Sequence, residues 1–223
     1  MTQRWSCYTC AMILKLAVTA LTLHLIYDFL PKLKQHLLLC ILSKLQCDNS
    51  ILDDVEKTSI LFHKDWLYPH NVMHINYTTY NVWWSQDVIH TSTSHCNIMV
   101  LADSSNTGFA SNHPFRYARV LSIYHANVVY VGPRMTDYQP HRMEFLWVQW
   151  YQSMATFHSE WSTQKHDHVW FASMTDKDAF GFVDPADVLR GCHIVPAFMS
   201  SRLHADGKGL SHCAWDSADW IAY

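Results

Sequence analysis

Glycine and proline are scarce in this sequence: six and seven residues of 223. That excludes a collagen-like repeat and a low-complexity linker protein. A basic excess is missing too. Sixteen Lys and Arg face nineteen Asp and Glu, a net charge of −3 with sixteen histidines counted neutral. Non-specific binding to nucleic acid rests on neutralising phosphates, and this balance does not supply the cations. Mild acid would reverse the sign, because histidine titrates near pH ~6.5. No disulfide framework is visible either. The seven cysteines, at 7, 10, 40, 47, 96, 192 and 213, are odd in number and scattered, so they read as reduced, intracellular thiols. Cys7 and Cys10 form a lone CxxC, with no second pair at zinc-ribbon distance.

A long charge-free apolar run is also lacking. "AMILKLAVTALTLHLIYDFL" (11 to 30) is interrupted by Lys15, His24 and Asp28. What remains is far short of the ~20 residues of a spanning helix. No small-residue cleavage site follows its apolar core, so export is not expected. The sequon Asn76-Tyr77-Thr78 would matter only in an exported chain. A membrane tether through residues 11–30 is the alternative this stretch leaves open.

Apolar and aromatic residues, by contrast, are plentiful. Hydrophobic residues make up 49%, with ten Trp, eleven Tyr and ten Phe, enough for a sizeable core. Residues 11 to 46 read as helix. Leu14, Val18, Leu21, Leu25 and Phe29 recur at three- and four-residue spacing, and after Pro31 so do Leu33, Leu37, Ile41 and Leu45. Pro31 is expected to break or kink the run. Both pieces are apolar around most of their circumference and must be buried against something.

"QCDNSILDDVEKTS" (46 to 59) is acidic and polar, and the pattern changes after it. "VMHINYTTYNVWW", "CNIMVLAD", "FRYARVLSIYHANVVYV" and "HRMEFLWVQWYQ" are rich in β-branched and aromatic residues and predict strands. In the last, Met143, Phe145, Trp147 and Tyr151 share one face while Leu146, Val148 and Trp150 share the other, which predicts a strand covered on both sides. The expected organisation is a helical segment (1–47), a linker and lead-in (48–71), a β-rich module (72–200) and an irregular tail (201–223). The expected fold class is α+β, mainly β, with a small antiparallel barrel or strongly bent sheet.

"FGFVDPADVLRGCHIVPAF" (180 to 198) gathers five residue types that can serve catalysis. Structure accounts for them better. Asp184 suits an N-cap, Pro185 the first helical position, and Asp187 the positive end of the turn, with Gly191 as stop signal. "CHIVPAF" then reads as strand, which sends Cys192 and His193 to opposite faces, so they cannot act as nucleophile and base.

"INYTTYNVWWSQDVIHTSTSHCNIMVLA", "HPFRYARVLSIYHANV", "MEFLWVQWY" and "AFGFVDPADVLRGCHIVPAF", in this order, resemble the C-terminal region of fungal Plavaka-type transposases. Those belong to the kyakuja–dileera–zisupton group of CACTA-like DNA transposons. The resemblance covers roughly residues 28 to 220. It implies a small β module of the SH3- or BAH-like kind, with the acidic catalytic core upstream of this region. It also implies a transposon-derived fragment, from a truncated or decayed copy. Two departures bear on partners. Trp83-Trp84 stand where members of the family often carry a basic pair, and His90-Thr91-Ser92-Thr93 replace an Asn-Pro-Arg-Thr-like segment.

The candidate interaction surface consists of Tyr77, Tyr80, Trp83 and Trp84, whose rings can stack on bases or enclose a methylated lysine, with Arg116 and Arg119 for phosphate. Packing within a small barrel and ordinary ion pairing are the plain alternatives for the same residues. His166-Asp167-His168, with His158 nearby, offers two zinc ligands but lacks a recognisable third and fourth. No metal, cofactor or catalytic residue is expected. The sequence thus predicts a non-catalytic accessory module, intracellular and nuclear, meeting a protein or chromatin partner and binding nucleic acid weakly. A His/Asp metal-dependent hydrolase or nuclease is the enzymatic alternative.

Overall fold

The structure, a computed structural model, describes residues 20–44, 59–79, 84–102, 114–132, 138–153, 168–173, 176–204, 206 and 218–223, with α1 side chains from Phe29 onward. It is mainly β. Among the described residues one helix, α1 (Ala20–Lys44), precedes nine strands: β1 (Ile60–His70), β2 (Val72–Thr78), β3 (Trp84–His90), β4 (Asn97–Leu101), β5 (Phe115–Tyr130), β6 (His141–Ser153), β7 (Val169–Phe171), β8 (Phe180–Val183) and β9 (Val188–Gly191). The main sheet runs β7-β6-β5-β4-β9, with β1 also on β5 and β8 also on β6. β2 and β3 form a separate two-stranded ribbon. The path is open rather than a closed barrel.

The chain divides into two compact units that interleave along the sequence. The first comprises residues 1–71, 122–147 and 182–185; the second comprises 72–121, 148–181 and 186–223. β5 and β6 contribute residues to both.

In the first unit, α1 supplies the apolar side chains that cover strand residues. Leu33, Leu37, Leu38 and Leu42 are buried together with Ile60, Leu67, Ala126, Val128, Tyr130, Met143 and Phe145. Phe29 packs edge-on against Trp147 and Phe182, which explains a helix apolar on so many sides. Pro31 does not end the helix, which runs continuously through it. One missing N–H is outweighed by the burial of the leucines in the following turns, each worth about 1.5–3 kcal/mol.

β1 lies where the sequence predicts linker and lead-in. It pairs antiparallel with β5 in two pieces, Ile60–Phe62 and Leu67–His70, with a register shift between them. Inside the shift, Lys64 and Asp65 adopt positive φ, 63° and 54°. A bulge of this kind destroys the alternation by which a strand is recognised. Pro69 fits because, among the described residues, β1 pairs only with β5 and therefore forms an edge.

In the second unit, β4 pairs with β5 from Asn97↔Arg119 to Leu101↔Phe115 and with β9 around Ile98↔Gly191. β6 pairs with β7 from Tyr151↔Phe171 to Ser153↔Val169. As expected for a strand covered on both sides, β6, which contributes to both units, buries Phe145 and Leu146 in the first and Val148 and Tyr151 in the second. Val120 and Ile123 are also buried, while Trp147, Phe182 and Ile194 are half-buried. The C-terminal residues are tied in rather than loose. Val169 and Tyr223 exchange both backbone bonds, at 3.0 and 2.8 Å, and Arg202 bridges to Trp220.

Candidate interaction surface

The ribbon β2–β3 positions the first group of candidate residues. Its register runs from Val72↔His90 to Thr78↔Trp84. Alternation places Met73, Ile75 and Tyr77 with Ile89, Asp87 and Ser85 on one face, and the two isoleucines and Met73 are buried. The other face carries His74, Asn76 and Thr78 with Val88, Gln86 and Trp84. There Trp84 is 68% exposed and Val88 is exposed, while Gln86 Nε2 donates to Asn76 Oδ1 at 2.9 Å. Tyr77 and Trp84 therefore look in opposite directions and do not form one cage. Tyr80 and Trp83 lie outside the described residues.

The Tyr77 ring is already engaged. The Arg190 guanidinium lies over it, 3.6 Å from its centroid. Arg190 Nε donates to Asp87 Oδ2 at 2.8 Å, and the Gly191 backbone N–H donates to the same oxygen at 3.0 Å. The hydrogen bond to Asp87 leads the causes that raise the Arg190 pKa. A Cβ at Gly191 would stand 3.0 Å from Ile89 Cδ1 and 3.4 Å from Asp87 Cβ. Glycine is present here so that β9 can approach β3 closely.

That geometry corrects the reading of residues 184–198. A 3-10 turn does begin at Pro185, directly after Asp184, and ends at Asp187. Gly191 does not stop it: β9 follows at once, and Gly191 is the last residue of that strand. Residues 192–197 form no strand. The turn stops early because Val188 joins the ladder opposite Val100 and buries its side chain there. Cys192 is half-buried and His193 exposed. Burial, helped by nearby Cys96, pushes the Cys192 thiol up to about 12, and burial also raises Cys96. Neither is an activated nucleophile.

Arg116 and Arg119, three positions apart on β5, separate completely. The Arg116 guanidinium sits 4.0 Å from the Trp150 ring centroid and the residue is half-buried. Arg119 is not a surface residue: it is 6% exposed. Its Nη1 donates to both oxygens of Asp219, at 2.7 and 3.0 Å, and its Nη2 donates to the Tyr223 hydroxyl at 3.3 Å. Tyr223 donates in turn to Asp219 Oδ1 at 2.9 Å, and the Phe171 ring lies 4.3 Å from the guanidinium carbon. Nearby, Tyr151 donates to Asn97 Oδ1 at 3.1 Å. Burial works against the Arg119 charge, but Tyr151 and Asp219 more than restore it, and its pKa is raised. Burial raises Tyr151 and Tyr223 as well. This network holds the C-terminal residues rather than a phosphate. Nothing in the local sequence announces it, since Arg119 and Asp219 are 100 positions apart.

Of the zinc candidates, His158, His166 and Asp167 lie outside the described residues, and His168 is exposed. Among the described residues no three metal-ligating side chains come together. No helix among them is long and apolar enough to cross a membrane. No protein-family model, curated protein or solved structure matches the chain.

Proposed function

We propose that this chain is a non-catalytic interaction module, SH3- or BAH-like in its small bent sheet, derived from the tail of a transposon-encoded transposase. The observation that carries the reading is the contrast between engaged cations and an exposed aromatic. Arg116, Arg119 and Arg190 each lie over a ring of their own chain, and two of them bond to aspartates. The outward ribbon face meanwhile leaves Trp84 and Val88 in water. Such a surface suits a protein or chromatin partner with an apolar anchor better than a phosphate backbone. The resemblance to transposase tails supplies the nuclear setting.

The test is a fluorescence-anisotropy titration at two salt concentrations, with free duplex DNA and nucleosome core particles compared. Duplex binding is expected to be weaker than about 10 μM at physiological salt. Nucleosome binding that Trp84→Ala weakens without unfolding the protein supports the module. Tight, salt-sensitive duplex binding argues against it. Metal-dependent cleavage of plasmid, lost on replacing one histidine or aspartate by alanine, replaces it with the nuclease reading.

A further inference from the structure

The strongest unexplained cluster lies in the first unit, on the second half of β1. His70 Nε2 and His125 Nδ1 face each other at 2.6 Å, a hydrogen bond that needs one proton between two nitrogens. Tyr68 stacks on the His125 ring, centroids 4.6 Å apart and planes 9° off parallel. His125 is buried, only 7% exposed, and His70 half-buried. Tyr124 on β5 and Arg142 and Glu144 on β6 line the cleft at His70, with Ile123 and Pro185. Arg142 pairs with Glu144 at 3.0 Å. Among the described residues lining the cleft the charged groups are one guanidinium and one carboxylate, and on β1 Lys64 and Asp65 carry charge in the bulge.

The backbone divides β1 at the same place. Ile60–Phe62 forms one ladder with β5, and Leu67–His70 forms another beyond the bulge at Lys64 and Asp65. Ile60 is fully buried among the α1 leucines, which anchors the first ladder. The second buries Leu67 in the same core at its near end and is joined to β5 at its far end through the histidine pair.

We propose that Leu67–His70 is a pH-released strand segment: protonation of the His70–His125 pair opens it from β5 while Ile60–Phe62 stays docked. At neutral pH both rings are uncharged and share one bridging proton. The first added proton places a charge in a buried cleft beside Arg142. The second leaves both facing nitrogens protonated, and the bond is lost. Opening lets both imidazoles charge in water. The directions agree with this. Burial first, then Arg142, holds His70 below its ordinary value, and burial, Arg142 and His70 together hold His125 down to about 4. The open segment therefore binds more protons than the closed one below pH ~6.5, and acid favours opening. From pH 7.5 to 5 the opening constant is expected to rise up to about 30-fold through His125 alone.

The experiment is peptide-resolved hydrogen exchange on the full chain at pH 7.5 and 5, corrected for intrinsic exchange rates. Protection at 67–70 should fall by roughly that factor, while protection at 60–62 changes less than about threefold. His125→Asn should remove the difference. Since that variant leaves a new polar group in the cleft, Arg142→Gln provides a second arm at an exposed position. Without the guanidinium the closed pair protonates more readily, so the pH effect should shrink several-fold. An equal loss of protection in both halves of β1, or none in either, overturns the proposal. An undiminished pH effect in both variants also overturns it.

Discussion

Arg119–Asp219 and Arg190–Asp87 are the same chemistry at nearly the same sequence separation, 100 and 103 positions. They differ in where they stand. The Arg119 and Asp219 side chains are 7% and 4% exposed, and those of Arg190 and Asp87 are 44% and 20% exposed. An exposed pair gains little, because water and salt screen it and two long side chains lose freedom. A buried pair has already lost its water, so removing one partner strands the other charge. One pair can therefore hold the C-terminal residues in place, while the other only trims the approach of β9 to β3.

The comparison breaks most directly at Asp219. Asp219→Ala should destabilise the protein by about 3–5 kcal/mol, because Arg119 stays buried without its carboxylate. Joint replacement, Arg119→Met with Asp219→Leu, should recover most of that loss. Urea denaturation of the three proteins decides it; a loss below about 1 kcal/mol in the single variant would show that water reaches the pair.

Acid tests the first unit, where neither arginine pair stands. His70 and His125 are held below the ordinary value of 6.5, His125 to about 4, so the unfolded chain binds more protons in that window. Their contribution is fully present above pH ~6.5 and is lost as the pH falls toward ~4, about 2 kcal/mol after allowing for solvent screening. Denaturation midpoints against pH should show this slope, and His125→Asn should flatten it. A slope unchanged in that variant would transfer the acid sensitivity elsewhere.

A smaller effect is expected at Asp184, which precedes the 3-10 turn at Pro185. Asp184→Ala should cost about 1 kcal/mol through the lost cap, measured as a shift of the urea midpoint. The smallest belongs to the exposed pair. Asp87→Ala should cost under about 1 kcal/mol, even though it removes acceptors for both Arg190 and the Gly191 N–H, because water can replace them. If it costs as much as Asp219→Ala, exposure does not explain the contrast.

Periodicity alone made α1, β4, β5 and β6 legible, since each carries its apolar pattern over enough residues to count. It also placed a turn at Pro185, because capping is a local contest over a few backbone N–H groups. Where a strand is interrupted, as β1 is at Lys64 and Asp65, or only a few residues long, as β7 and β9 are, the local pattern no longer tells strand from loop.

The candidate surface was legible by residue type and not by role. Tyr77, Trp84, Arg116 and Arg119 all stand out as groups that could meet a ligand. Which of them face water depends on partners far along the chain: Arg190 for Tyr77, Trp150 for Arg116, Asp219 and Tyr223 for Arg119. The sequence by itself determined the mainly β character, the buried helix and the position of the turn, because these follow from short-range spacing. Only the tertiary structure decided that Arg119 is interior, that Arg190 covers Tyr77 and that two histidines 55 positions apart share a proton. Each of these depends on the register of strands distant in sequence, and burial then determines what the same side chain is worth.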